Sequence, residues 1–500
     1  MIRSFLASLR LSLLASCFAL PLAAQTPRDS LLPVDPAVTI GRLPNGIRYY
    51  IRVNHRPEKR VELRLVVNAG SILEDEDQRG LAHFVEHMAF NGTTRFKKQE
   101  LVNYIESIGM RFGADLNAGT SFDETVYQLQ VPTDSAHLVT RAFDILEDWA
   151  HGVTFDSTEV EKERGVVLEE WRLGRGAGQR MFDKQLPVLF RGSRYAVRLP
   201  IGTPDCIQHC PRAAIRRFYG DWYRPDLQAV VAVGDFDPAR IEALIKSHFA
   251  GIPARRPERP RLPAPVPPHR EAEVSIATDP EATSTTVSVY VQKPSGARGT
   301  VGAWRGEMVE ALASGILNQR LDELTQKPNP PFIGAGAGRN ELVRSVEAFS
   351  FGAAVSDSGI RRGLDAVLTE LERAGRHGFT QAELDRTRAE YLRGIEQAYT
   401  ERDKTESGSL VEDYVDHYLT GHAIPGISHE YARAKAVFPG ITVADLNAVA
   451  RGWLAEGEPV ILVDAPEKNR PMLPTSAELL GLFAAVKRAN IAPYAETVSA

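Results

Sequence analysis

The 500-residue chain, 43% hydrophobic and 25% charged, reads as an ordinary soluble globular protein of more than one domain, with room for a large core. Its formal net charge of -5, without a long basic run, gives no support for nucleic acid as a partner. At the N-terminus Arg3 and Arg10 precede an apolar stretch, residues 11–22, that ends in Ala23-Ala24-Gln25. This resembles a secretory signal peptide, residues 1–24, and predicts export. It is too short to span a bilayer, and no later segment has the length of a transmembrane helix. Residues 14–17, LASC, also fit a lipobox, so the alternative is an exported chain anchored by lipid on Cys17; Arg10 leaves only a short apolar core for that signal.

From residue 39 the pattern is strand-like. TIGRLP and IRYYIRV flank an Asn45-Gly46 turn, and VELRLVVNAG follows with β-branched alternation. Residues 81–92, LAHFVEHMAFNG, then form a short helix carrying H-x-x-E-H. At about 100° per residue His83 and His87 lie one above the other with Glu86 beside them, while Leu81, Phe84, Val85 and Met88 face the opposite way. One face can enter a core while the other offers two imidazoles and a carboxylate, the donor set a catalytic metal needs. A helix over 98–108, a strand ETVYQLQV and a helix over 141–149 ended by Gly152 come next. Asp156, with Glu159 as partner in a capping box, opens the charged helix EVEKERGVVLEEWR. Glu163 and Glu170 are seven residues apart on nearly one face, whereas Glu169 points elsewhere. One of the pair could complete a His-His-Glu site and the other support it from behind; taken alone, the helix reads equally as a solvated charged element.

A helix over 212–219, a strand over 227–236 and a helix over 238–249 close the first domain, residues 37–252. Residues 253–269, PARRPERPRLPAPVPPH, are too proline-rich to fold as an element and predict an extended linker. The grammar then repeats in residues 270–485: a strand SVYVQ, a long helix over 301–325, strands near 349–355, and helices over 360–375 and 380–400. A tail, residues 486–500, follows. This second domain has no H-x-x-E-H. His417, His422 and His429 lack helical spacing with acids and read as surface residues. Of three cysteines, Cys206 and Cys210 would remain after signal cleavage and could form a local disulfide; a metal cluster with His209 is the sharper alternative, but no fourth ligand is near.

H-x-x-E-H followed some eighty residues later by E-x6-E resembles the inverzincins of the pitrilysin and insulinase family of zinc peptidases, M16. The likeness runs through NAGSILED, GLAHFVEHMAFNGT, LNAGTS, ERGVVLEEW and DWYRPDLQAVVAVGDFD, and is most like the periplasmic PqqL-like branch. It implies an α+β protein of two homologous α/β-sandwich domains, the LuxS/MPP-like metallohydrolase fold, each a mostly antiparallel sheet flanked by helices. It implies one Zn2+ per chain held by His83, His87 and Glu170, with Glu86 as general base and Glu163 behind the ligands. Residues 116–121 would be the edge strand on which peptide substrates pair, with Asn117 and Ala118 at the reacting bond. An exported, periplasmic location agrees with the N-terminus.

The chain departs from the family pattern at one place. Active members carry an Arg and a Tyr seven residues apart in a second-type domain, and alignment of GILNQRLDELTQKPNPPFIGAGAG puts Thr325 and Phe332 there. Neither side chain supplies the positive charge or phenolic donor that steadies an oxyanion. Family enzymes enclose substrate between two halves, and this chain has the size of one. The resemblance therefore implies a second M16-like subunit carrying Arg and Tyr, in a heterodimer rather than a homodimer. The competing expectation is a structural or binding subunit with a peptidase fold; the five residues His83, Glu86, His87, Glu163 and Glu170 weigh against it.

Overall fold

The computed structural model describes residues 30–98, 100–107, 111, 113, 116–254 and 257–495, so the expected signal peptide and Cys17 lie outside it. Strands β1 (Val38–Arg42) and β2 (Arg48–Val53) form the hairpin around Asn45-Gly46, where Gly46 takes φ +112°. With β3 (Arg60–Val67), β4 (Leu116–Thr120), β5 (Thr125–Pro132) and β6 (Gln228–Gly234) they build a six-stranded sheet in the order β1-β2-β6-β3-β5-β4. Only β2 and β6 run parallel. The last strand in sequence thus enters the middle of the sheet, and every residue of β6, QAVVAVG, is buried. Its continuous apolar run fits a strand covered on both faces.

The second sheet consists of β7 (Glu273–Asp279), β8 (Thr285–Pro294), β9 (Gly334–Val343), β10 (Val346–Val355) and β11 (Pro459–Pro466), in the order β7-β11-β8-β10-β9. Strand for strand this repeats β2-β6-β3-β5-β4, including the single parallel pair. The expected pair of homologous, mostly antiparallel α+β domains is therefore what forms. Each edge position has its counterpart: β4 in the first domain and β9 in the second.

Five helices position the first domain's chemistry: α1 (Leu81–Met88), α2 (Glu100–Ser107), α3 (Ala136–His151), α4 (Ser157–Leu173) and α5 (Ala177–Leu189). The domains are joined reciprocally. Helix α5 lies on β7 and β11 of the second sheet, and the helix Ser407–Thr420 of the second domain lies on β3 and β6 of the first. The latter contact buries Tyr50, Val66 and Val231 against Val411 and Tyr414. Arg344, in the β9–β10 turn, adds hydrogen bonds to Asn68 and Glu124 of the first domain.

Several expectations need correction. The proline-rich linker has no regular element among its described residues, in keeping with an extended segment, and it is fastened to the first domain: Arg259 bonds Asp75, and Arg261 bonds the Asn68 and Asp123 carbonyls. The helix Ser476–Arg488 runs past residue 485, and the stretch beyond it is held to the helix Ile360–His377 by Arg376 and His377, with Tyr494 bonded to Glu323. Asp156 does cap α4 through the Thr158 and Glu159 N–H groups, but Glu159 turns to Lys98 and Lys162 instead of closing a capping box. His417, His422 and His429 are half-buried; His417 bonds the His422 carbonyl and meets the Tyr50 ring edge-on. Among the described residues no helix is long and apolar enough to cross a membrane.

Candidate metal and peptidase site

Helix α1 starts under unusual constraint. Its N-cap, Gly80, takes φ +99° and packs on Gly202, whose backbone lies where a Cβ would stand. That left-handed turn suits glycine. Glu74, wholly buried, receives the Gly80 and Ala82 N–H groups at 2.8–3.0 Å and so satisfies two of the free donors at the start of the helix. Burial pushes the Glu74 carboxyl up to about 8, with those backbone bonds opposing. Leu81, Phe84, Val85 and Met88 are fully buried, as their spacing predicts, and the helix is thereby fixed in rotation about its axis.

That rotation points His83 and His87 at α4. The two Nε2 atoms are 3.2 Å apart; Glu170 Oε2 is 3.2 Å from His87 Nε2, and Glu170 Oε1 is 3.7 Å from His83 Nε2. An ion bound tetrahedrally at about 2.0–2.1 Å sets its ligand atoms about 3.3–3.4 Å apart, so the three groups sit at the separations one such ion imposes. Behind them, Glu163 Oε1 lies 2.8 Å from His87 Nδ1 and fixes the ring so that Nε2 faces inward. His83 Nδ1 is buried and has no partner among the described residues. Glu169 is exposed and paired with Arg172, away from the site. The other grouping of histidine and carboxylates among the described residues, Asp144, Glu147 and His248, already holds the Arg95 guanidinium.

Burial holds the His83 imidazole below its ordinary value, and the facing His87 acts in the same direction. Burial also opposes charge on His87, but its bonds to Glu163 and Glu170 prevail and hold it high. The His87 bond keeps Glu170 ionised to lower pH than a free carboxylate. Glu86 stands on the same helix, 7% exposed, its carboxyl raised by burial, and its one side-chain hydrogen bond among the described residues comes from Thr120 Oγ1 at 2.5 Å.

Strand β4 forms the free edge beside α1. Asn117 is exposed, and its Oδ1 accepts the Ala118 N–H at 2.9 Å. Cys206 and Cys210 form a disulfide at the end of the helix Pro204–His209, with exposed His209 turned to Asp205. Arg164, next to Glu163, caps that helix through the Ile207 and Cys210 carbonyls at 2.5 and 2.6 Å, so the disulfide braces the seat of α4. Glu74 and Thr120 were not singled out from the sequence; NAGSILED and LNAGTS contain them, but only the fold aims them at α1.

The family model described as insulinase, peptidase family M16, matches residues 50–176, and that described as the peptidase M16 inactive domain matches residues 209–391. The chain belongs to peptidase family M16. The second match begins within the first sheet's domain and includes β6, the strand at that sheet's centre. Among M16 relatives, the zinc protease PQQL-like of Arabidopsis thaliana is 37% identical over 81% of this chain and 40% of its own length. The probable zinc protease PqqL of Escherichia coli strain K12 is 30% identical over 83% of this chain and 45% of its own. The chain spans less than half the length of these curated relatives. The crystal structure of the first half of the periplasmic protease PqqL from Escherichia coli superposes with a TM-score of 0.88 at 28% identity, covering 93% of this chain and all of that one.

Proposed function

We propose that the chain is the catalytic half of an exported zinc metallopeptidase that hydrolyses peptides or unfolded polypeptides. The observation that carries this reading is the convergence of His83, His87 and Glu170 beside Glu86, at the foot of the open edge of β4. Two imidazoles and a carboxylate suit zinc. A bound zinc supplies a Lewis acid and lowers the pKa of water enough for attack at neutral pH. His83, His87 and Glu170 would hold it, and Glu163 would keep His87 in the right tautomer. Glu86 takes the proton of the attacking water and delivers it to the leaving amine. The β4 edge aligns the peptide through main-chain hydrogen bonds, which makes side-chain selectivity broad. The relatives' names as zinc proteases, and a periplasmic location for one of them, support the same reading.

The alternative is a structural or binding subunit, favoured by one observation: the Thr325 hydroxyl is spent on the Asp322 carbonyl, and Phe332 is buried in the second domain's core. Metal analysis separates the two. The purified chain is expected to carry about one zinc per chain, to lose it to a chelator, and to lose it on Glu170→Ala. A chain that binds no zinc would sink the catalytic reading. Glu163→Ala is expected to weaken zinc by about 10- to 100-fold in competition with a chromophoric chelator, since it frees the His87 ring without removing a ligand; unchanged affinity would remove Glu163 from the metal's support.

A further inference from the structure

We propose that Thr120 is a positioning residue that fixes the Glu86 carboxylate and ties its orientation to the strand on which substrate is laid. The inference rests on the reading of Glu86 as general base. Thr120 is the last residue of β4, paired across the sheet with Thr125. Its Oγ1 lies 2.5 Å from Glu86 Oε2 and 3.3 Å from Thr125 Oγ1. Thr125 is wholly buried and donates to the Ala69 carbonyl at 3.0 Å. The single Thr120 proton goes to the nearer and charged acceptor, Glu86 Oε2, and the longer contact to Thr125 Oγ1 is left without one, since the Thr125 proton is committed to Ala69.

Three consequences follow from this geometry. One carboxylate oxygen, Oε2, is pinned, which leaves the other lone pairs of Glu86 to receive a proton from water. Without that partner the carboxylate would swing about its last torsion, which is broad. Threonine is also stiffer at χ1 than serine, so the hydroxyl is held by the strand's own backbone. Because that backbone belongs to the free edge, a peptide adding to β4 steadies Thr120 and, through it, the base. No other element links the two parts of the site by a side-chain bond to Glu86 among the described residues.

The test compares Thr120→Val, which keeps shape and loses the hydroxyl, with Thr120→Ser, which keeps the hydroxyl. Each is measured in the zinc-loaded assembly that turns over an unstructured peptide. Valine is expected to lower kcat by about 10- to 100-fold, the loss of one hydrogen bond to a charged group, with KM and zinc content within about twofold of wild type. Serine is expected to restore kcat to within a few-fold. A readout without turnover accompanies these: affinity for a peptide hydroxamate, whose hydroxyl meets the base, falls about tenfold in Thr120→Val, whereas affinity for the same peptide as an amide does not change. Wild-type kcat in Thr120→Val, or equal losses in the valine and serine variants, overturns the proposal. Glu86→Gln run alongside keeps the two readings apart: cleavage by that variant removes the base itself, while an inert Glu86→Gln beside a fully active Thr120→Val removes only the role of Thr120.

Discussion

Glu86→Gln is expected to bind zinc as the wild type does and to lower kcat/KM for an unstructured peptide by at least about 10³-fold. The three donor atoms that converge belong to His83, His87 and Glu170, so replacing the Glu86 carboxylate by an amide leaves those donors intact. Glutamine is nearly isosteric and can still meet Thr120, and the packing of α1 rests on Leu81, Phe84, Val85 and Met88, which do not change. What it cannot do is accept a proton from water at neutral pH. Burial already raises the Glu86 carboxyl, and a base drawn toward neutrality is better matched to that transfer. Zinc content and peptide hydrolysis measured on one preparation check both halves of the expectation. Retained hydrolysis would remove Glu86 from the mechanism; lost zinc would mean that it supports the metal after all.

Much of the site was legible because its two anchors are local. H-x-x-E-H is five residues on one helix, and E-x6-E is one helix face, so periodicity alone gives their directions. The choice between Glu163 and Glu170 was not local. It depends on how α4 crosses α1, which puts Glu170 beside both Nε2 atoms and Glu163 behind His87 Nδ1. Thr120 and Glu74 were invisible for the same reason: a threonine in a strand and an acid in a loop are common, and only long-range packing brings one to Glu86 and the other to the N-terminus of α1. In the fold, strands with clear alternation or an Asn-Gly turn were readable, as was the exact span of the helix Val301–Thr325. The insertion of β6 between β2 and β3 was not, because order within a sheet is not written in any one strand. Fastening of the linker was also hidden, since the acids that hold Arg259 lie well over thirty residues away in sequence.

Turnover of peptide by this chain alone is expected to be at least about 10²-fold below turnover in the presence of a second M16-type chain carrying R-x6-Y. The deficit concerns the transition state. Attack on a peptide carbonyl builds negative charge on oxygen, and each prearranged donor lost from such a site typically costs about 10²- to 10³-fold in kcat. At the aligned positions this chain offers a threonine whose hydroxyl is committed to the last turn of its own helix, and a phenylalanine 3% exposed within the core. Neither supplies a positive charge or a phenolic donor. Pairing with a second copy would only repeat both residues and supply no such donor. The donors His83, His87 and Glu170 and the β4 edge, by contrast, all lie within the chain, and peptide binding should survive isolation. The expected pattern is therefore a split: affinity for an uncleaved peptide changes little on adding the second chain, while kcat rises steeply, and the rise disappears when that chain's Arg is replaced by Ala. Fast turnover by the isolated chain would show that its own residues stabilise the oxyanion. A rise that survives the Arg replacement would show that the second chain acts by enclosing substrate and not by charge.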